Sequence, residues 1–231
     1  TWKSRGLGDV YKRQDMINPK IKFYLVIPLF FFQFKGYTDK IKLGLNTGFN
    51  FSTIVNSNTS DQFNNGRGFL PGLAFGLNTE YLIRDDYSLL FEINYSTKGF
   101  TINQTGVRVK SYYKYFEIPF RLKYYSSKQF AIEVGPYIGI AFREYLKNNI
   151  TKSKVYGNIG SNYDDKLKPL DIGAQGGISY NQNSFSLCIY ISYGILNIRP
   201  AGGFGSSVRN LSTQVRFNYI FSKLKSNEKS F

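Results

Sequence analysis

Eight stretches of this chain alternate apolar and polar residues with a period of two. A helix cannot present that pattern; a β-strand with one face against an apolar medium must. Over about 41–53, Ile41, Leu43, Leu45, Thr47, Phe49 and Phe51 alternate with Lys42, Gly44, Asn46, Gly48, Asn50 and Ser52. The alternation recurs at about 69–83, 87–98, 112–125, 129–143, 169–181, 184–196 and 209–222. In the stretch 184–196, for example, Phe185, Leu187, Ile189, Ile191, Tyr193 and Ile195 oppose Ser186, Cys188, Tyr190, Ser192 and Gly194. A slip of one residue exchanges the two faces entirely, so the register is strongly specified. Exceptions are few: Lys114 falls on the apolar face near a strand end, where it can snorkel, and Leu82, Leu90 and Ile220 fall on the polar face.

Phe and Tyr are used heavily, 21 and 19 times in 231 residues. There is no run of ~20 apolar residues of the kind a membrane-spanning helix needs, whereas a membrane-spanning strand leaves no such run. The connections alternate in length. Short links are expected at 84–86, 126–128 and 182–183, and long ones at 54–68, 99–111, 144–168 and 197–208. That is the signature of short periplasmic turns and longer external loops, with an even strand count returning both termini to the periplasm. Parity agrees: apolar residues stay even-numbered across 126–128, as an odd-length loop requires, and switch to odd across Gln182-Asn183, as a two-residue turn requires. A three-residue loop at 126–128 sets Arg121 opposite Glu133. The expected fold is all-β, an eight-stranded antiparallel up-and-down transmembrane β-barrel. Tyr81, Tyr87, Tyr124, Phe130, Tyr180, Phe185, Tyr219 and Phe221 all fall on the apolar face beside the short turns, where an interfacial aromatic girdle belongs.

A soluble, secreted lipocalin-like binding barrel alternates too, but with the apolar face inward. Three features favour the opposite sense. The apolar face carries almost no charge. The polar face holds glycines at four-residue spacing (Gly44 and Gly48, Gly72 and Gly76, Gly135 and Gly139, Gly173 and Gly177), which make room in a narrow lumen for Tyr113, Tyr115 and Tyr137. The polar-face charges come in both signs: Glu80, Glu92, Glu117, Glu133 and Asp171 against Lys42, Lys98, Arg121, Lys123, Arg143 and Arg216. Such a mixture is expected to form a hydrogen-bonded plug.

The ends read differently. Residues 1–15 resemble translated adapter sequence and are expected to be a non-native leader. From Met16, Lys20 and Lys22 precede the apolar run Phe23 to Phe32, the pattern of a signal peptide over 16–37. The barrel is then expected over 38–222, with a basic periplasmic tail over 223–231. The formal charge is +15, and residues 1–37 hold seven Lys/Arg and two Asp, leaving +10 for the remainder. A basic surface attracts nucleic acid, lipid headgroups or polysaccharide; export disfavours nucleic acid and leaves outer-membrane lipid and lipopolysaccharide as expected partners. Cys188 is the single cysteine, so no internal disulfide forms.

From about 41 to 222 the chain resembles the PorT-like outer membrane protein beta-barrel domain family of Gram-negative bacteria. The residues that carry this are Gly44-Leu45-Asn46-Thr47-Gly48-Phe49-Asn50-Phe51-Ser52, Pro71-Gly72-Leu73-Ala74-Phe75-Gly76 and Tyr95-Ser96-Thr97-Lys98-Gly99. They continue with Phe116-Glu117-Ile118-Pro119-Phe120, Gly135-Pro136-Tyr137-Ile138-Gly139 and Tyr193-Gly194-Ile195-Leu196-Asn197-Ile198. The resemblance implies an outer-membrane barrel, and its namesake's link to protein secretion implies envelope or secretion-system partners. The chain departs by continuing past Phe221 to Phe231, where such barrels usually stop at an aromatic of the last strand.

The chain contains no histidine, which excludes Ser-His-Asp and Cys-His sites and histidine-ligated metals. It has no P-loop and no dinucleotide fingerprint. Glu92, Glu117 and Glu133 face inward on neighbouring strands, but lumen ion pairing is favoured over an acid/base pair because eight strands leave no substrate cavity. Asp164-Asp165 reads as a solvated turn in preference to a cation site. No catalytic residue, metal or cofactor is expected. The leading expectation is a structural or interaction barrel, with the external loops, 144–168 above all, as contact surface. Alternatives are an accessory part of a secretion or assembly system, and a narrow porin-like solute pore.

Overall fold

The computed structural model describes residues 40–56, 66–104, 106–200 and 207–223. The expected leader over 1–15, the expected signal peptide over 16–37 and nearly all of the expected tail over 223–231 lie outside the described residues. The strands are β1 (Ile41–Asn56), β2 (Arg67–Gly68), β3 (Leu70–Leu82), β4 (Tyr87–Gln104), β5 (Val107–Tyr125), β6 (Phe130–Asn148), β7 (Lys154–Tyr156), β8 (Leu170–Gln182), β9 (Phe185–Gly194) and β10 (Val208–Lys223). Eight of them are long and each pairs antiparallel with two neighbours. The order runs β1, β3, β4, β5, β6, β8, β9, β10 and back to β1, so the sheet is closed. No helix among the described residues is long and apolar enough to cross a membrane.

The alternation sorts the two faces as expected. Phe49, Leu73, Phe116, Phe130 and Ile191 are half or more exposed on the outer wall, while Glu92, Glu117, Arg121 and Glu133 are at most 1% exposed. A lipocalin-like sense is thereby ruled out, since it would enclose the phenylalanines. Glycines on the inner face leave room for rings. A Cβ at Gly173 would lie 2.6 Å from Tyr137, and one at Gly177 would lie 2.6 Å from the Tyr190 ring and 2.1 Å from the Ile189 carbonyl oxygen.

The structure departs from the sequence reading at the turns and at the far ends of the strands. Residues 99–111 are not a loop. β4 and β5 remain paired out to Gln104 and Val107, and Gly99, at φ +140, lets this ribbon continue with its Cα against the Ser111 carbonyl. β6 likewise runs to Asn148, and β7 folds back on it, so the first part of the expected loop 144–168 is a small hairpin. The turn between β8 and β9 is Asn183-Ser184, shifted by one residue, with Asn183 in the left-handed region at φ 55. Between β5 and β6 the odd parity holds, but five residues intervene before Ala131 pairs with Tyr125. Glu133 therefore stands opposite Lys123, not Arg121. Ser127 shapes this longer turn, its hydroxyl accepting from the N–H groups of Gln129 and Phe130.

Gly177→Val should overpack the lumen against Tyr190 and the Ile189 backbone, costing about 1–3 kcal/mol of stability and lowering the urea unfolding midpoint of detergent-refolded protein accordingly. Gly176→Ala, where the nearest atom to an added Cβ is 3.7 Å away, should leave the midpoint unchanged.

Candidate functional site

Inward positions on adjacent strands bring charged side chains together because the lumen of eight strands is only wide enough for side chains to fill. Arg121, from β5, is at the centre. Its guanidinium donates to Glu92 and to Gln175, lies 3.1 Å from Glu133, and stacks over the Tyr190 ring at 4.3 Å. Arg216, from β10, binds the other Glu92 oxygen at 2.6 Å and lies 3.6 Å from Glu117. Lys98, from β4, sits between Glu117 at 2.7 Å and Asp171 at 3.2 Å, over the Tyr137 ring. Toward the short turns, Lys123 lies 3.6 Å from Glu133 and 3.8 Å from Glu80, and Lys42 reaches Glu80 at 3.4 Å. Five cations thus meet five carboxylates.

Neutral groups complete the array. The Tyr190 hydroxyl donates to Glu133 at 2.7 Å, Tyr137 and Asn210 donate to Asp171, and Tyr125 donates to Glu80. Gln175 and Gln214 share Ser192. These tyrosines and amides belong to the cluster as much as the ions do. Alternation places Tyr137, Tyr190 and Ser192 on the inner face, but only the fold shows which strands bring these groups into contact.

Of the lumen residues expected from the sequence, Glu80, Glu92, Glu117, Arg121, Lys123, Glu133, Asp171 and Arg216 are buried together. Arg143 is not. The β5–β6 register shifts between Lys114 and Tyr115, pairing Lys114 with Arg143 and Tyr115 with Ala141. This bulge leaves both Phe142 and Arg143 exposed and turns Glu144 inward instead. Nothing in a strict period of two announces such an extra residue.

Toward the long-loop end the lumen becomes apolar. Ile54, Phe100, Tyr113, Tyr115, Leu167, Ile198 and Val208 form a buried cluster. Leu167 and Ile198 come from connecting segments and are 1% exposed, held by the Lys168 N–H to the Ile198 carbonyl and the Ile198 N–H to the Val208 carbonyl. This cluster borders a cavity of about 460 Å³ lined by Phe100, Tyr113, Glu144, Tyr163, Leu167 and Ile198, among others. Burial raises the Glu144 carboxyl above its ordinary value, against the opposing pull of Gly157 N–H and Lys166.

The outer-wall aromatics beside the short turns meet across strands. Ring centroids lie 5.0 Å apart for Tyr87 and Tyr124, 5.2 Å for Phe130 and Tyr180, and 5.0 Å for Phe185 and Tyr219; Tyr81 stands in register opposite Ile41, and Phe221 is exposed near the end of β10. Cys188 is buried and accepts from Asn218 at 3.2 Å. Asp165 closes a local turn by accepting from the Asn162 N–H. Among the described residues no cluster of acidic or sulfur ligands is arranged to hold a metal.

Among solved structures the chain is similar to Neisserial surface protein A (14% identity over 78% of this chain and 97% of that one, TM-score 0.46). It is also similar to Ail, the attachment invasion locus protein of Yersinia pestis (10%, 79% and 99%, 0.44), and to the outer membrane protein OprG from Pseudomonas aeruginosa (13%, 80% and 98%, 0.37). No curated protein matches it. The family model described as "Outer membrane protein beta-barrel domain" matches residues 31–199, most of the chain and of the closed sheet. With its apolar wall outward and its ions enclosed, the protein resides in the cell outer membrane, and the chain belongs to the outer membrane protein beta-barrel domain family.

Proposed function

We propose that this protein is a closed-lumen outer-membrane barrel with a structural and interaction role. Its long-loop end faces outward and serves as the contact surface. The observation that carries the reading is the matched lumen: Lys42, Lys98, Arg121, Lys123 and Arg216 each face a carboxylate of Glu80, Glu92, Glu117, Glu133 or Asp171. A solute path needs water and mobile charge at this level, and the side chains here are buried against one another. The same pairing argues against catalysis, since each of these carboxylates is engaged by a cation.

The loops support the outward assignment. Long connections lie at one end and tight turns at the other, as in barrels whose loops are extracellular. The tyrosines and phenylalanines beside the tight turns fit a girdle at the periplasmic interface. At the opposite end β4, β5 and β6 rise above the other strands, and Ile150, Val155, Tyr156 and Tyr163 are strongly exposed there. Exposed apolar side chains on a raised rim suit contact with another envelope protein, in keeping with the PorT-like resemblance and an accessory part in a secretion or assembly system.

Planar bilayers holding the purified protein should show no steady open-channel current; sustained single-channel conductance would contradict a plugged lumen. Arg121→Ala leaves Glu92 and Glu133 short of their shared cation. It should cost about 3–5 kcal/mol and lower the temperature at which the folded band on a gel converts to the unfolded one. An unchanged conversion temperature would remove the ion cluster from any role in stability.

A further inference from the structure

Outward-facing residues at the long-loop end of β5, β6 and β7 place like charges side by side. Lys110 stands in register opposite Lys147, Lys147 opposite Lys154, and Lys114 opposite Arg143. Residues directly opposite on one face have Cβ atoms about 4.5–5.5 Å apart, and like charges there are destabilising unless something neutralises them. None of the five forms an ion pair with a described carboxylate, although Lys42, Lys98, Arg121, Lys123 and Arg216 in the lumen all do. Glu117 and Glu144, the acids nearest these cations in sequence on β5 and β6, are both turned into the barrel.

Tyrosines are threaded through the same patch. Tyr112 and Tyr145 stack at 4.8 Å, and Tyr145 meets Tyr156 at 5.8 Å. Lys114 lies over the Tyr95 and Tyr145 rings, and Lys154 over Tyr145. The height of the patch follows from the strand itself. Below Lys114, the outward residues of β5 are Phe116, Ile118, Phe120, Leu122 and Tyr124, the length of one tilted span of a hydrocarbon core. Lys114 therefore sits at the edge of that core, and Lys110 stands about 13 Å further along the strand, at headgroup level.

We infer that this patch binds the phosphate groups of a phosphorylated glycolipid of the outer leaflet, the lipid A portion of lipopolysaccharide. The inference rests on the outward orientation of the long-loop end given above. A phosphate carrying up to two charges relieves the Lys110, Lys147 and Lys154 repulsion in one step. A zwitterionic phospholipid carries its own cation beside its phosphate and gains less. Tyr156, exposed beside the half-buried Tyr145, offers a flat apolar face against which a sugar ring packs, which a simple diacyl headgroup cannot use.

The test is native mass spectrometry of detergent-purified protein titrated with lipid A, with lipid A stripped of its phosphates, and with phosphatidylglycerol. Wild type should retain lipid A in preference to both others. The triple variant Lys110→Gln, Lys147→Gln, Lys154→Gln should bind it roughly ten- to a hundredfold more weakly, and the corresponding triple arginine variant should retain it. Equal retention by the glutamine variant, or equal binding of the dephosphorylated lipid or of phosphatidylglycerol, would overturn the inference. Labelling of Ile150→Cys in whole cells with an impermeant maleimide reads the orientation separately. An unlabelled cysteine would sink the outward reading and this inference with it, whereas a labelled cysteine without lipid A preference would sink this inference alone.

Discussion

Inside hydrocarbon no water is available to a backbone N–H or C=O, and every feature of this protein follows from that. A sheet meets the requirement only when its first and last strands pair, and here β1 is hydrogen-bonded to β10 along almost its whole length. Closure fixes the rest. Side chains must divide into a wall facing lipid and an inner face turned to the lumen, so a period of two in the backbone becomes a period of two in polarity.

The lumen then has a problem of its own. Eight strands enclose too little room for bulk water, so an ion placed there loses its hydration. The array around Arg121 answers it by matching: two carboxylates, a glutamine and a tyrosine ring surround one guanidinium. Glycine supplies the remaining space, as at Gly173 beside Tyr137 and Gly177 beside Tyr190. Charge and ring size are thus two halves of one packing solution. An apolar filling would be no less stable in principle, but it would erase the difference between the two faces that sets the register during assembly.

Where the two faces meet different media, the sequence could be read almost residue by residue. All eight long strands lie where alternation put them, and of the eleven charged residues expected on the inner face nine are buried, with Lys42 half-buried and Arg143 outside. Reading failed where that contrast fades. Past Lys98 the burial no longer alternates, Phe100 and Thr101 both being buried, so Thr101, Asn103, Arg108 and Lys110 look like loop although they are paired strand. It failed again at the β6 bulge, where one extra residue reverses the parity and sends Arg143 out and Glu144 in. The Arg121–Glu133 contact was anticipated for the wrong reason: the register partner is Lys123, and Arg121 reaches Glu133 diagonally because its side chain is long.

The extensions that escaped the sequence reading are also where the chain is freest to carry function. A strand leaving the bilayer can leave its edge groups to water, and β2 and β7 pair part of the free edges of β4 and β6. The rule that bars charge from the outer wall ends at Lys114, and above it cations appear at once in the outward positions. Inside the barrel a cation without a carboxylate would be intolerable; on the raised outer wall, water and anionic headgroups can take the carboxylate's place. The same chain therefore satisfies its charges internally where it must be rigid, and leaves them to its surroundings where it meets the membrane face.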